Sequence, residues 1–358
     1  MRPLLNLCAL ACLLAAALPV HAARHRDVEV CFALDTTGSM SGLIEAAKQK
    51  VWSIASALAQ APSKPRLRFC LMAYRDRGDD YVTRLSPLTD DLDALYAQLM
   101  ELQAGGGGDT PEAVNQALLE TLESAGYSAS PDVLKILFLV GDAPPSVYAD
   151  EPQYPEIAAR ARAAGVLINP VVCGSAQDTR ARFEDIARLG GGRSAHLPEA
   201  GRVERISTPM DQDLAALNQR LGHLLIPYGD AATQQAVLDK QRRAERMSDE
   251  GLSDRLAFNH ATGRVVQGGG DLIEALDTGA VQLDALTAEQ LPESLRSMDE
   301  AELRAHVEAI RSERLQLRAV IEPLIELRQQ HIEAQRRQGE DSFDAAVRAI
   351  LQAQLGEG

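Results

Sequence analysis

The sequence predicts an α/β fold, with a doubly wound, mostly parallel sheet of six strands followed by an α-helical C-terminal region. Apolar runs of strand-forming residues alternate with segments whose apolar residues recur at helical spacing, which is typical of βαβ units. Several strand runs are apolar throughout, as expected for strands buried on both faces. Beyond Pro209 the composition shifts to Ala, Gln, Leu, Glu and Arg, and strand signals nearly disappear. This shift predicts the helical second part.

Residues 1–22 have the features of a signal peptide. Arg2 supplies the positive charge, residues 4–18 form an apolar core, and the small residue Ala22 ends a cleavage site. The core is too short to span a bilayer, and no second long apolar segment follows. We therefore expect an exported protein, periplasmic or secreted, without a transmembrane anchor.

Charge and cysteine content narrow the expected partners and chemistry. The formal net charge of −15 disfavours nucleic acid and anionic membranes as partners. Cys8 and Cys12 lie in the signal peptide, and the spacing of Cys31, Cys70 and Cys173 fits no metal motif. We expect the last three to be buried thiols, with a bridge between the first two as the alternative if their strands are adjacent.

The first predicted strand begins at Val28 and ends in a cluster of polar residues. Asp35, Thr37 and Ser39 alternate along the chain, and residues 43–58 then show helical spacing. The cluster therefore lies in a turn at the carboxyl end of a strand, where open α/β sheets bind ligands. Carboxylate and hydroxyl oxygens suit Mg²⁺, Mn²⁺ or Ca²⁺. Three oxygens do not complete a six-coordinate shell, so other segments must supply more.

Two later stretches can supply those oxygens. A loop of four glycines is followed by Asp109 and Thr110 and leads into a predicted helix at 111–125. A second apolar strand, Leu134–Gly141, ends at Asp142. Each stretch puts polar oxygens at a strand or loop end, as the first cluster does.

The expected strand order brings two of the carboxylates together. In a doubly wound sheet ordered 3-2-1-4-5-6, strands 1 and 4 are neighbours. Asp35 and Asp142 then face each other across the crevice, where they repel unless a cation lies between them. The alternative is that both carboxylates cap the helices that follow.

Together these elements resemble the von Willebrand factor type A domain and its metal-ion-dependent adhesion site. The resemblance places Asp35, Thr37 and Ser39 on the metal as the first element, Thr110 as the second and Asp142 as the third. The family more often has serine where Thr37 stands, and the hydroxyl is retained. The resemblance implies an adhesion-type module that binds Mg²⁺, or Mn²⁺ or Ca²⁺, and a protein partner whose Asp or Glu carboxylate completes the metal shell.

Other polar residues lie at the same predicted edge. Arg75 and Asp76 follow the second strand, Leu67–Tyr74, and are interpreted as rim residues that shape ligand choice or as a solvated charge run. Asp109 is a candidate for the outer shell of the metal. The tripeptide Arg77-Gly78-Asp79 spells an integrin-binding motif, to which we assign no function.

The remaining signals continue the α/β rhythm and place the first domain at 24–200. They predict an antiparallel edge strand at 81–88, further strands at Val166–Cys173 and 193–197, and helices at 91–102, 154–164 and 179–189.

The sequence predicts that the second part, residues 201–358, is helical. Helices are predicted at 211–225 and 231–247, and a long charged helix at about 299–338. Its coiled-coil pattern is interrupted by Arg314, and Pro323 is expected to kink or end it. The region is either a helical hairpin packed on itself or on the first domain, or a stalk for self-association.

No catalytic residue is assigned. A Mg²⁺-dependent phosphoester hydrolase is one alternative function, but no histidine accompanies the motif and no Gly-x-Ser-x-Gly elbow is present. A metal-independent structural protein that acts through its helical tail is the other alternative.

Overall fold

The computed structural model of the protein describes residues 27–61, 64–107, 111–197, 206–336 and 343–355. In these residues the strands are β1 (Val28–Asp35), β2 (Leu67–Tyr74), β3 (Thr83–Thr89), β4 (Leu134–Gly141), β5 (Val166–Cys173) and β6 (Ala195–Leu197). The α-helices are α1 (Ser41–Ala59), α2 (Leu92–Glu101), α3 (Val114–Ser124), α4 (Tyr154–Ala163), α5 (Gln177–Gly190), α6 (Asp211–His223), α7 (Ala231–Ala244), α8 (Asp249–Thr262), α9 (Leu272–Asp277), α10 (Glu300–Arg336) and α11 (Phe343–Leu355). No helix in the described ranges is both long and apolar enough to cross a bilayer.

The six strands form one sheet in the order β3-β2-β1-β4-β5-β6. Only β3 runs antiparallel to its neighbour, and the order reverses between β1 and β4. The pairs Asp35 with Tyr74 and Leu34 with Val140 bring the carboxyl ends of the three central strands to one edge. The predicted fold class and strand order are confirmed.

Both faces of the sheet are buried, which explains why the central strands are apolar throughout. On one face Val30, Phe32 and Leu34 of β1 pack with residues of α1 and α2. On the other face Cys31 and Ala33 pack with residues of α3, α4 and α5.

Cys31 and Cys70 form a disulfide, so the expectation of free thiols was wrong for these two residues. They are paired in register on the adjacent strands β1 and β2, with their Cα atoms 4.5 Å apart. The alternative that depended on strand adjacency is therefore the one observed. Cys173 is a buried free thiol, as expected.

The core of the first domain is completed by α11. Val347, Ile350 and Leu351 are buried in the same apolar cluster as the β1 side chains. Gln354 also exchanges two hydrogen bonds with buried Asn169 of β5, at 2.8 and 3.2 Å. The predicted boundary of the first domain at residue 200 does not include α11. A helical pattern in the sequence does not show which part of the structure the helix will cover.

The helical region also contacts the first domain through α8, which packs on α1. The Phe258 ring lies 5.7 Å from that of Trp52 and 6.4 Å from that of Phe69. Arg255 makes a buried ion pair with Asp93 of α2, with Nε 2.7 Å from Oδ1.

The long helix α10 continues through Pro323, so it does not end at that proline, which was one of the two predicted outcomes. Pro323 is on the exposed side of α10, whereas Ile321 and Ile325 on either side are buried against the region's own core. Arg314 does not break the packed face. Its buried guanidinium donates to both carboxylate oxygens of Asp271, at 2.5 and 2.9 Å.

Candidate functional site

The turn between β1 and α1 brings three of the predicted oxygens together. The Thr37 backbone N–H and hydroxyl both donate to Asp35 Oδ1, at 2.9 and 2.7 Å. The hydroxyl oxygens of Thr37 and Ser39 are 3.3 Å apart. Asp35 and Thr37 are buried, whereas Ser39 is exposed. The oxygens of this turn therefore form a row that begins with the buried Asp35 carboxylate and ends with the exposed Ser39 hydroxyl.

The end of β4 lies directly against Asp35. A Cβ added at Gly141 would lie 2.5 Å from Tyr74 Oη and 3.4 Å from Asp35 Oδ2. The approach to Tyr74 Oη is too close for any side chain, so this position requires glycine. Asp142 follows and is partly exposed, and its carbonyl accepts a 2.9 Å hydrogen bond from Thr179 Oγ1 of α5. The backbone that carries this carboxylate is thereby fixed.

The Asp35 carboxylate lies in an unfavourable environment for its charge. Burial raises its pKa to about 7, and the negative charge of Asp142 adds to the rise, while hydrogen bonds from Thr37 and the charge of Arg75 oppose it. Asp35 Oδ2 is buried and has no hydrogen-bond partner in the described structure. A buried charged oxygen without a partner is costly, and a cation would remove that cost.

The glycine loop packs on the same turn. Gly105 N donates to Thr36 O at 3.1 Å, and Gly38 N donates to Gly106 O at 3.3 Å. Gly107 has a φ of +69°, and a Cβ there would lie 3.0 Å from Thr37 Cβ. This contact and this backbone conformation favour glycine. The predicted site residues Asp109 and Thr110 lie outside the described residues.

Arg75 and Asp76 lie at this edge but are buried, so they are not part of a solvated charge run. Arg75 Nη2 donates to Gln103 O at 2.9 Å. The Asp76 carboxylate accepts hydrogen bonds from the hydroxyls of Tyr148, at 2.7 Å, and Ser146, at 3.3 Å. Both residues connect the loops that surround the site.

Glu112 is at the same edge and was not assigned from the sequence. Glu112 N donates to Pro144 O at 3.0 Å, and Ser146 N donates to Glu112 O at 2.7 Å, so its backbone pairs with the segment after β4. The sequence predicted a helix that begins at 111, but α3 begins at Val114. The pairing of the Glu112 backbone with the segment after β4 explains the later start. The sequence signal that could have identified Glu112 is its position two residues after the predicted site residue Thr110.

The electrostatic environment of Glu112 resembles that of Asp35. Burial raises the pKa of Glu112 to about 8, and the charges of Asp35, Asp76, Asp79 and Asp142 all add to the rise. Glu112 Oε2 is buried and has no hydrogen-bond partner in the described residues.

The donor set fits a hard divalent cation. It combines a buried carboxylate that has a free oxygen with neighbouring hydroxyl oxygens, and such ligands suit Mg²⁺, Mn²⁺ and Ca²⁺. No group of three or more His, Cys, Asp or Glu side chains in the described part of the chain is arranged to hold a metal alone. A metal ion at this edge would therefore need the hydroxyl oxygens of Thr37 and Ser39 in addition to the Asp35 carboxylate.

Comparison with known proteins agrees with this architecture. A family model described as "von Willebrand factor A domain" matches residues 29–196. Human von Willebrand factor A domain-containing protein 7 is 38% identical over 94 residues, which are 25% of this chain and 10% of that protein. The chain thus spans about a tenth of the length of this relative.

Solved structures with a similar fold include the SpRpn10 VWA domain, with 14% identity and a TM-score of 0.38 over 48% of this chain and 88% of that chain. Proximal thread matrix protein 1 from the mussel byssus, in a form with a zinc-occupied MIDAS motif, has 14% identity and a TM-score of 0.37 over 49% of this chain and 45% of that chain.

Proposed function

Because a family model described as "von Willebrand factor A domain" matches residues 29–196, we propose that this protein binds a protein partner through a divalent cation. Asp35, Thr37 and Ser39, together with Thr110 and Asp142, hold Mg²⁺, or alternatively Mn²⁺ or Ca²⁺. The cation supplies an electrophilic position that accepts an Asp or Glu carboxylate of the partner. The observation that carries this proposal is the unpartnered, buried Oδ2 of Asp35 beside the Thr37 and Ser39 hydroxyls.

An exposed mouth supports a role in binding a macromolecule. Gly38 and Ser39 are exposed at the surface end of the turn. Val147, in the segment after β4, is 81% exposed. The helical region contacts the first domain at α1, α2, β5 and β6.

We also propose that the protein is exported to the periplasm or beyond. The Cys31–Cys70 disulfide supports an oxidising compartment. The acidic chain, with a net charge of −15, favours protein partners over nucleic acid or anionic membrane.

Calorimetry of the mature protein with Mg²⁺, Mn²⁺ and Ca²⁺ tests the metal step. We expect saturable binding that is lost in Asp35→Ala and retained in Asp178→Asn, which removes an exposed acid of α5. Absence of binding by the wild-type protein at about 10 mM metal, with no rise in melting temperature, contradicts the proposal.

Capture from cell-envelope extract tests the partner step. A specific partner is expected to bind the wild-type protein, to be released by chelator and to be absent with Asp35→Ala. A partner that remains bound in chelator argues for the metal-independent structural alternative.

A further inference from the structure

A cavity of about 200 Å³ lies between the first domain and the helical region. Its walls come from α1, α2 and α10 and from the chain around the start of α8. Exposed Met100 and Arg246 are among the lining residues, so the cavity reaches the surface. Clefts where two parts of a protein meet are common sites for small molecules.

Trp52 of α1 lines this cavity and contains a buried polar atom without a partner. The residue is fully buried, and its ring lies 5.7 Å from each of the rings of Tyr96 and Phe258. Trp52 Nε1 has no hydrogen-bond partner in the described residues. A buried indole N–H usually has one, because leaving it unpaired costs free energy. The cavity beside Trp52 offers space for an acceptor.

The cavity also has one cation that is not engaged by an acid. Lys48 Nζ is 2.8 Å from Glu45 Oε1, and Arg328 Nη1 is 2.6 Å from Asp254 Oδ1, so these two cations of the lining are neutralised. Arg246 is exposed, and no acid in the described ranges lies within ion-pair distance of its guanidinium. An anionic group that enters the cavity therefore has Arg246 available to it.

The remaining walls of the cavity are apolar. Tyr96 and Met100 come from α2, Met247 precedes α8, and buried Ile332 belongs to α10. Methionine side chains adapt to ligands of different shape and make favourable contacts with aromatic rings. A water molecule would satisfy the Trp52 N–H but would gain nothing from these apolar walls. A molecule with a polar end and an apolar body would use both.

We propose that this cavity binds a small organic carboxylate with an apolar body. One carboxylate oxygen accepts the hydrogen bond from Trp52 Nε1, and the negative charge faces Arg246 at the mouth. The apolar body packs against Tyr96, Met100 and Met247. This inference does not depend on the proposed function, because none of these residues belongs to the β1–α1 turn.

Titration of the mature protein with hydrocinnamate, a carboxylate with an aromatic body, tests the inference. Trp52 is the only tryptophan of the chain, so its fluorescence and its indole N–H resonance report directly on this site. Chelator in the buffer removes any contribution of a bound metal ion. We expect a saturable change in fluorescence at about millimolar hydrocinnamate. The indole proton should shift downfield with the same Kd, because it gains a hydrogen bond.

Two arginine variants separate the charge from the apolar contact. Arg246→Gln should weaken hydrocinnamate binding at least about threefold. Arg243→Gln removes an exposed arginine of α7 that does not line the cavity, and it should bind like the wild-type protein. Hydrocinnamyl alcohol has the same body without the charge, so Arg246→Gln should not change its affinity. Both arginines are at the surface, and both variants should fold.

Three results overturn the inference. Absence of a saturable fluorescence change up to about 10 mM hydrocinnamate would show that the cavity does not bind this class of molecule. Binding without a shift of the indole resonance would place the molecule away from Trp52. Equal losses of acid and alcohol affinity in Arg246→Gln would show that the carboxylate does not face Arg246. The proposed function is unaffected by each result, because the titrations contain no free metal ion.

Discussion

Among single residues, Asp35 shows the strongest conflict between fold stability and ligand binding. It is held by two hydrogen bonds from Thr37, yet its second oxygen is buried without a partner. Under the proposed function, the feature that destabilises the metal-free protein also provides the attraction for a cation.

The pH dependence of stability follows from the pKa of Asp35, which is raised from 3.8 to about 7 in the folded state. A raised pKa means that folding favours the protonated carboxyl. Its contribution to stability is complete below the ordinary pKa and is lost as the pH rises through 7. In chelator, Asp35→Asn should therefore melt above the wild-type protein by several degrees at pH 8 and by less at pH 5.

The same melting curves with added Mg²⁺ provide the second half of this prediction. Mg²⁺ should raise the melting temperature of the wild-type protein more at pH 8 than at pH 5, because protons compete for the carboxylate. Asp35→Asn should show little rise at either pH. A stability advantage of the variant that does not change with pH would show that the charge of Asp35 is not the cause.

Gly141 allows a sharper test of local packing. Gly141→Ala places a Cβ 2.5 Å from Tyr74 Oη, and we expect it to cost about 1–3 kcal/mol of unfolding free energy. In a Tyr74→Phe background that oxygen is absent, so the same change should cost less. Urea denaturation of the four proteins measures the coupling, and equal costs in both backgrounds would rule out this contact as the reason for glycine.

The sequence predicted part of this site because Asp35, Thr37 and Ser39 lie within five residues of one strand-to-helix turn, which brings them close together. Asp142 was predicted from its position after an apolar strand, from the expected sheet order and from the family resemblance. Glu112 was not assigned, because its position at this edge depends on backbone pairing with the segment after β4, and this contact leaves no periodic pattern in the sequence.

At the scale of elements, the strands were predictable and α8 was not. Continuous apolar runs in the sequence predict the central strands, because these strands are buried on both faces. In α8 the buried positions include Ser253, Arg255 and Asn259 beside Leu256 and Phe258, so no apolar stripe marks one face. The helix packs against α1, α6 and α10, and its burial on several sides removes the usual signal.

The ion pair between α8 and α2 gives a prediction at this scale. Arg255→Met leaves Asp93 buried and unpaired, so we expect a loss of about 3–5 kcal/mol in unfolding free energy. The double variant Arg255→Met with Asp93→Asn should recover part of the loss, because no uncompensated charge remains. Guanidinium denaturation checks both, and a loss below about 1 kcal/mol in the single variant would contradict the buried pairing.

For the molecule as a whole, the first domain depends on a helix distant in sequence. α11 supplies Val347, Ile350 and Leu351 to the core that also contains β1. A fragment of residues 27–197 lacks these side chains, and we expect it to aggregate and to bind hydrophobic dye.

Joining residues 343–355 to that fragment by a glycine–serine linker should restore part of the stability, measured as a higher melting temperature. The control is the same linker fusion with Val347, Ile350 and Leu351 each replaced by Ser, which should not restore the stability. If the bare fragment unfolds cooperatively at the same temperature as the fusion, α11 is not needed for the first domain.

The return of the chain to its first domain has a consequence for cleavage by proteases. The helical region leaves after β6 and comes back as α11, and α11 packs against both β6 and α1. One cut in the backbone between α6 and α10 therefore frees neither piece, since each remains anchored to the same sheet. A nicked molecule would keep the β1–α1 turn and the Cys31–Cys70 disulfide intact. Two cuts would be needed to release any of the helices between them.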